Sequence, residues 1–409
     1  MFGLMAFMHF INYFVLFVNT NNYKLIMLYG AELLLILFLA SVYHWVYKNV
    51  NELVLQHMMM LLTIGFVFVA RLSYQVAVRQ VLFAWIGVVL CMIVPIIIEK
   101  FRSLKSLSYI LAVISLGLLV AVLFFGVENN GATNWIKITE SIQIQPSEFV
   151  KILFVFCMAG LLADIKSFRH VVIVSIIAAI HVLILVIQTD LGGALIFFLT
   201  YIVMLTVATR KMWYLFAGLG AGSVAAVIAY RIFSHVRVRV LAWKNPWEYI
   251  DREGYQIAQS LFAIGTGGWL GMGLTQGLPN SIPVVTSDFI FAAISEEMGA
   301  IYAICLILIC MSCFIMFVNI SVRLKDSYYK LIALGFSVMY AIQVFLNIGG
   351  VTKLIPSTGV TLPLISAGGS SMLATIVIFN VIQGLYLLNQ KGTGIKHKKK
   401  RKEMRGSNG

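Results

Sequence analysis

The chain has 409 residues, 61% of them hydrophobic and 11% charged, with a mean hydropathy of +0.95. A soluble domain carries about 25% charged residues, so the composition excludes a water-soluble globule. It implies a polytopic membrane protein, helical rather than barrel because the apolar runs are long and continuous.

Runs of spanning length, about 17–25 residues each, fall near 2–19, 25–46, 54–71, 79–98, 106–127, 147–163, 169–188, 191–209, 212–233, 288–318, 328–349 and 366–389. That makes about twelve helices. The first run lacks a basic start and a small-residue cleavage site, so it reads as a retained helix, not a signal peptide. The boundary at 188–191 leaves room only for a tight turn at Asp190 and Gly192-Gly193.

The net charge of +14 is spread over short loops and the tail Lys396–Lys402, which speaks against nucleic acid as a partner. Lys48, then Lys100, Arg102 and Lys105, then Lys166 and Arg169, then Arg210 and Lys211, then Arg323 and Lys325 fall in alternate loops. Positive-inside placement makes that side cytoplasmic, with both termini on it. The tail from Lys391 is too short and too charged to be expected to fold. Cys91, Cys157, Cys305, Cys310 and Cys313 all lie in apolar runs, without disulfide or metal spacing.

The opposite loops are 20–24, 72–78, 128–146, 189–190, 234–287 and 350–365. The 234–287 segment is too long for a simple connector. Its middle, 255–273, is amphipathic and glycine-rich, so it is expected to lie in the interface or dip back into the protein. Arg237, Arg239, Lys244 and Arg252 break the charge rule there. They suit an anionic ligand, or equally headgroup binding and snorkelling.

Five constellations on these loops carry chemical potential. In Gln145-Pro146-Ser147-Glu148-Phe149-Val150-Lys151, Pro146 and Ser147 read as a helix start. Glu148 suits the helix dipole there and Lys151 shares its face. A lysine in a first turn is electrostatically misplaced, so an acid or a phosphate is expected to compensate it. Asp190 either caps the following helix or faces a ligand. Arg239, Trp243, Asn245-Pro246-Trp247 and Tyr255-Gln256 suit a sugar or a phosphate, or an interfacial aromatic belt. Asp288 stands where a polar loop re-enters apolar sequence, either as a site residue or as a helix cap. Glu296 and Glu297, two helical turns on, are expected deeper, about 12 Å away, as a structural pair. Ser366, Gly368, Gly369, Ser370 and Ser371 follow a Pro-Gly-rich segment of the kind tolerated at membrane depth only when buried or lining a cavity.

Taken together, Gln-Pro-Ser-Glu-Phe-x-Lys (145–151), Asp190-Leu191-Gly192, Asn245-Pro246 with Tyr255-Gln256, Asp288-Phe289-Ile290-Phe291 with Glu296-Glu297-x-Gly299, and Ile365-Ser366-x-Gly368-Gly369-Ser370 resemble the RodA/FtsW/SpoVE (shape, elongation, division and sporulation) family. The resemblance covers about residues 54–390. It implies an all-α membrane fold with a ten-helix core over 51–390, two extra helices in 1–50 and a basic tail 391–409. An even number of added helices keeps Asp288 on the outer face.

The activity implied is peptidoglycan glycosyl transfer, polymerising lipid II on the outer face of the bacterial cytoplasmic membrane. The partner implied is a class B penicillin-binding transpeptidase. The resemblance makes Asp288 the catalytic residue. Lys151, Glu148, Arg239, Gln256, Asp190, Ser366 and Ser370 are the substrate-binding candidates. Glu296, Glu297, Pro146, Gly368 and Gly369 are supporting residues. Lys151 is a candidate both for the pyrophosphate and for pairing with Asp288. A Mg2+ or Mn2+ requirement stays open, as do a flippase role and a scaffold role. Ala367, where a Tyr is common, and Ser287 before the Asp are small departures.

Overall fold

The computed structural model describes residues 2–47, 49–100, 102–129, 132–139, 142–165 and 167–406. Lys48, Asn130, Gly131 and Lys166 lie outside the described residues, as do the side chains of Cys91, Arg102 and the tail from Lys391. Among the described residues, twelve helices are long and apolar enough to cross a membrane. Such runs fold as helices because only a helix satisfies every backbone N–H and C=O internally when no water is at hand.

The helices are α1 (Phe2–Thr20), α2 (Lys24–Val46), α3 (Glu52–Leu72), α4 (Tyr74–Cys91), α5 (Val94–Lys100), α6 (Ser108–Phe125), α7 (Pro146–Ala163), α8 (Phe168–Ile187), α9 (Leu191–Thr209), α10 (Trp213–Ile232), α11 (Ser234–Lys244), α12 (Tyr255–Gly267), α13 (Ile290–Arg323), α14 (Ser327–Val351) and α15 (Gly369–Gly406). α4 and α5 form one span, broken ahead of Pro95, where proline removes a helix hydrogen bond. α3, α7, α9, α14 and α15 are the most buried spans, and α1 and α10 the most exposed. On a spanning helix that exposed apolar surface faces lipid.

α15 carries its backbone helix through the basic tail to Gly406, where the sequence leads one to expect no fold. Extending a nucleated helix adds one hydrogen bond per residue fixed and needs no core. The segment between α6 and α7 holds a small antiparallel ribbon, β1 (Val127–Asn129), β2 (Ala132–Thr139) and β3 (Ile142–Ile144), in the order β1-β2-β3.

Both ends of the bundle are pinned by polar contacts. At one end Asn51 N–H donates to Gln383 Oε1 at 3.1 Å, and Lys105 pairs with Asp164 at 2.7 Å. The other end, rich in loops, gathers the ribbon, the α8–α9 turn, segment 234–287 and segment 352–368. There Thr133 N–H reaches Gln188 O at 3.1 Å, and Gln145 N–H reaches Ser370 Oγ at 3.0 Å. Asn19 at the end of α1 donates to Thr275 Oγ1.

Segment 234–287 is not a plain loop. α11 lies against segment 352–359, with Trp243 Nε1–H donating to Lys353 O at 3.0 Å. α12 buries Ile257, Ala258, Ser260 and Ala263, and Ser260 Oγ–H donates to Val351 O at 2.6 Å. Residues 268–273 then dock onto α13. Gly299 breaks α13 with φ +81. The backbone groups freed there bond the loop: Met272 N–H to Glu296 O at 3.0 Å, Gly273 N–H to Glu297 O at 2.9 Å, and Ala300 N–H to Gly268 O at 2.9 Å. The middle of the segment, expected to lie in the interface or to dip back, packs on α13 and on the end of α14.

Glu296 and Glu297 stand two turns along α13 from Asp288, ahead of the break at Gly299. Leu278 N–H bonds Glu296 Oε1 at 3.0 Å, and Arg71 in the last turn of α3 pairs with Glu297 at 3.0 Å. Arg71 also donates to Gly277 O at 3.3 Å. The two glutamates lie ahead of the break, and their partners Leu278 and Arg71 tie them to the loop-rich end.

Candidate functional site

Asp288 stands two residues before α13 and is half-buried. It does not cap that helix, whose N-cap position is Phe289 with no side-chain bond. Its backbone is fixed from two sides. Asn347 Nδ2–H donates to Asp288 O at 2.9 Å and to Val360 O at 2.7 Å. Ser366 Oγ–H donates to Ser287 O while accepting from Leu362 N–H at 2.8 Å. Ala367 N–H bonds Thr286 O at 2.8 Å. Thus α14 and segment 360–367 hold the acid through its peptide carbonyls, leaving the carboxylate free of those bonds.

Arg239 faces that carboxylate. A Cβ built on Gly359, itself at φ +71, would lie 3.5 Å from Asp288 Oδ2 and 3.8 Å from Arg239 Nη2. Acid and cation therefore both border one glycine, whose positive φ is what favours glycine there. Arg239 Nη1–H donates to Ser357 O at 3.2 Å, which fixes the guanidinium. Burial raises the Asp288 pKa above its ordinary value, while a hydrogen bond from Ser287 and the charge of Arg239 pull it back.

A second cluster lies on α7. Lys151 and Glu148 are both buried and paired at 2.7 Å. Lys151 Nζ also donates to Gln343 Oε1 at 3.4 Å. Gln343 Nε2–H reaches Thr361 O at 3.2 Å and Ser371 Oγ at 3.5 Å. The acid that compensates Lys151 is Glu148, one turn earlier on its own helix, and not Asp288. The chain Lys151–Gln343–Thr361 nevertheless leads onto the segment that holds Asp288.

Asp190 does two things. Its Oδ1 caps α9 by accepting Gly193 N–H at 2.8 Å. Its Oδ2 accepts from Asn134 Nδ2–H at 3.1 Å, Gln145 Nε2–H at 3.3 Å and Ser147 Oγ–H at 3.5 Å. It thereby ties the ribbon and the start of α7 to the α8–α9 turn. Pro146 is buried at the first position of α7. Gly369 packs on the Phe83 ring, and a Cβ on Gly368 would be 3.6 Å from Ser371 Cβ.

Asp288, Arg239 and Ser366 thus form one neighbourhood, and Lys151, Glu148 and Ser371 adjoin it through Gln343. Asp190 and Ser370 meet at Gln145. Gln256, half-buried on α12, takes part in none of these contacts, and Glu296 and Glu297 serve the loop. Sequence reasoning missed Gln343, Asn347 and Arg71. The available signal was polarity inside a spanning run: Gln343 and Asn347 are two amides one turn apart on α14.

Residues 51–389 match the family of cell cycle proteins that comprises FtsW, RodA and SpoVE. The peptidoglycan glycosyltransferase RodA of Mycobacterium leprae is 34% identical over 327 residues, 75% of this chain and 69% of that protein. Stage V sporulation protein E of Bacillus subtilis is 35% identical over 345 residues, 79% of this chain and 93% of that protein. Among solved structures, a chain of a peptidoglycan synthase complex that coordinates polymerization and crosslinking superimposes with a TM-score of 0.72 at 24% identity, covering 83% of this chain and 98% of that one. The rod shape determining protein RodA of Thermus thermophilus does so with a TM-score of 0.62 at 23% identity, covering 83% and 97%. These two structural matches show the fold.

Proposed function

The chain belongs to the FtsW/RodA/SpoVE family of cell cycle proteins, and on that premise we propose that it is a peptidoglycan glycosyltransferase with Asp288 as its general base. It polymerises lipid II at the loop-rich end, on the outer face of the bacterial cytoplasmic membrane, with both termini inside. The alternating loop charges support that orientation. A class B penicillin-binding transpeptidase that cross-links the product is the partner. Its support is the fold shared with a complex that coordinates polymerization and crosslinking.

In the reaction a sugar hydroxyl oxygen of one lipid II bonds to the anomeric carbon of another. The bond from that carbon to the lipid pyrophosphate breaks, and its electron pair leaves with the pyrophosphate. The hydroxyl proton passes to Asp288. A positioned carboxylate base contributes about 10²–10⁴-fold. A pKa raised by burial makes it a stronger base. Arg239, across Gly359 from the base, stabilises the charge growing on the pyrophosphate, and Lys151 adds a second cation beneath segment 360–367. Mg2+ or Mn2+, which phosphate-bearing substrates often bring, finds no group of three or more His, Cys, Asp or Glu side chains among the described residues.

The observation that carries this reading is the half-buried Asp288 carboxylate beside Gly359 with the Arg239 guanidinium as its charged neighbour. The polar side chains around Asp288 gather at the loop-rich end of the bundle, which favours an enzyme over a transporter. The test is glycan polymerisation from lipid II by the purified protein with its transpeptidase partner. Polymer from the wild type and none from Asp288→Asn is the expected result. Normal polymer from Asp288→Asn sinks the base assignment.

A further inference from the structure

Ahead of the matched region, α1 and α2 bury a polar cluster within the membrane. Tyr13 Oη–H donates to Glu32 Oε1 at 2.7 Å, and His9 Nε2 stands 3.3 Å from Glu32 Oε2. His9 and Glu32 are 2% and 0% exposed. Tyr13 and Tyr29 pack on the His9 ring with centroids 5.1 and 5.2 Å away. Such groups are costly at this depth unless partnered, so the cluster is a fixed joint between α1 and α2.

On the other side of α1 the packing is open. A cavity of about 360 Å³ lies between α1, α3 and α13, within the roughly 300–1,000 Å³ of ligand pockets. Met5, Met60, Val67, Phe68 and Tyr302 contribute to its wall, and His9 closes it beside the joint. The wall is almost wholly apolar. Leu4 and Met8 on the same wall are 68% and 44% exposed. On a spanning helix that exposure is to hydrocarbon, so the cavity opens sideways into the bilayer. An apolar void forfeits dispersion contacts that packing would recover. The joint with α2 holds α1 where it is and keeps the void from closing. Methionine side chains fit a flexible occupant better than a rigid one.

We propose that this cavity binds one long hydrocarbon chain of a membrane amphiphile, drawn in from the bilayer between α1 and α3. The chain then packs on Tyr302, three residues past the break at Gly299, and so touches the helix that leads from Asp288. The chain has two available sources, the acyl chain of a glycerolipid and a polyprenyl chain.

The full chain in lipid nanodiscs would be irradiated with either of two probes: phosphatidylglycerol bearing a diazirine at the end of one palmitoyl chain, or a polyprenyl phosphate bearing a diazirine. Adducts would be mapped by mass spectrometry. The expected result is enrichment at Met5, Met60 and Val67 over lipid-facing Val224 and Val227 of α10 by about tenfold, the ratio given by a preference of ~1.4 kcal/mol. The arm that gives the enrichment names the source. Met60→Trp, which fills the cavity, should abolish it, and Met5→Trp serves if Met60→Trp fails to fold. Labelling no greater than on α10 from both probes, or enrichment that persists in a folded tryptophan variant, overturns the site.

Discussion

At Asp288 the balance of burial against charge has a consequence for pH. Burial raises the folded-state pKa above its ordinary value, near 3.9 when unperturbed. Stability from this group is therefore fully present below the unfolded pKa and is lost as pH rises through the folded one. Under the proposed mechanism activity runs the other way, because a carboxylate acting as base must be ionised. kcat/KM for lipid II polymerisation should climb with pH along a limb displaced above the usual carboxylate range. Arg239→Gln removes a charge that lowers this pKa, so it should move the limb to still higher pH and reduce the rate. An unmoved limb counts against Arg239 as the electrostatic partner.

Lys151 poses a different problem, since it and Glu148 are both buried. Removing one partner of a buried pair leaves the other uncompensated, at a cost of about 3–5 kcal/mol. Lys151→Met should lower the melting temperature in detergent, and adding Glu148→Gln should restore much of it without restoring activity. The acid, the lysine and the serines were legible in the sequence because polar residues in an apolar chain are conspicuous. Gln343 and Asn347 were not read, because an uncharged amide in a span looks like a packing detail until its partners are known.

Among the elements, the broken α13 decides how the long loop is held. Its apolar run is continuous, and a lone glycine within a helix gives no sign of whether the helix stops there. The break exists because loop 268–273 supplies the hydrogen bonds the helix gives up, a tertiary fact that hydropathy does not contain. A Cβ on Gly299 would fall 2.3 Å from Gly271 N at φ +81. Gly299→Ala should therefore cost at least the ~1–3 kcal/mol of a strained backbone and expose 268–278 to protease. Limited proteolysis alongside a melting curve measures both. The ribbon β1–β3 was likewise hidden: its strands are short, and alone they are marginal. α11 and α12 were hidden for a related reason, since each is stabilised mainly by the segment it lies on.

For the whole molecule, span number and order were legible because a bilayer imposes length and apolarity on each run independently of the others. What hydropathy could not supply is how the loop-rich end closes, since that depends on side chains more than a hundred residues apart, such as Gln145 with Ser370 and Arg239 with Ser357. The proposed orientation has a direct check. In a cysteine-free background, Thr275→Cys should react with a membrane-impermeant maleimide in intact cells, and Lys325→Cys should react only after lysis. The reverse pattern would turn the molecule over.

The bond from Asn19 to Thr275 joins a helix outside the family match to the loop that Glu296, Glu297 and Arg71 anchor, thirteen positions before Asp288. That joint is exposed. For an antibacterial agent it offers an address away from Asp288. A compound gripping it would pull on the loop, and it would be selective for enzymes that carry this additional helix pair.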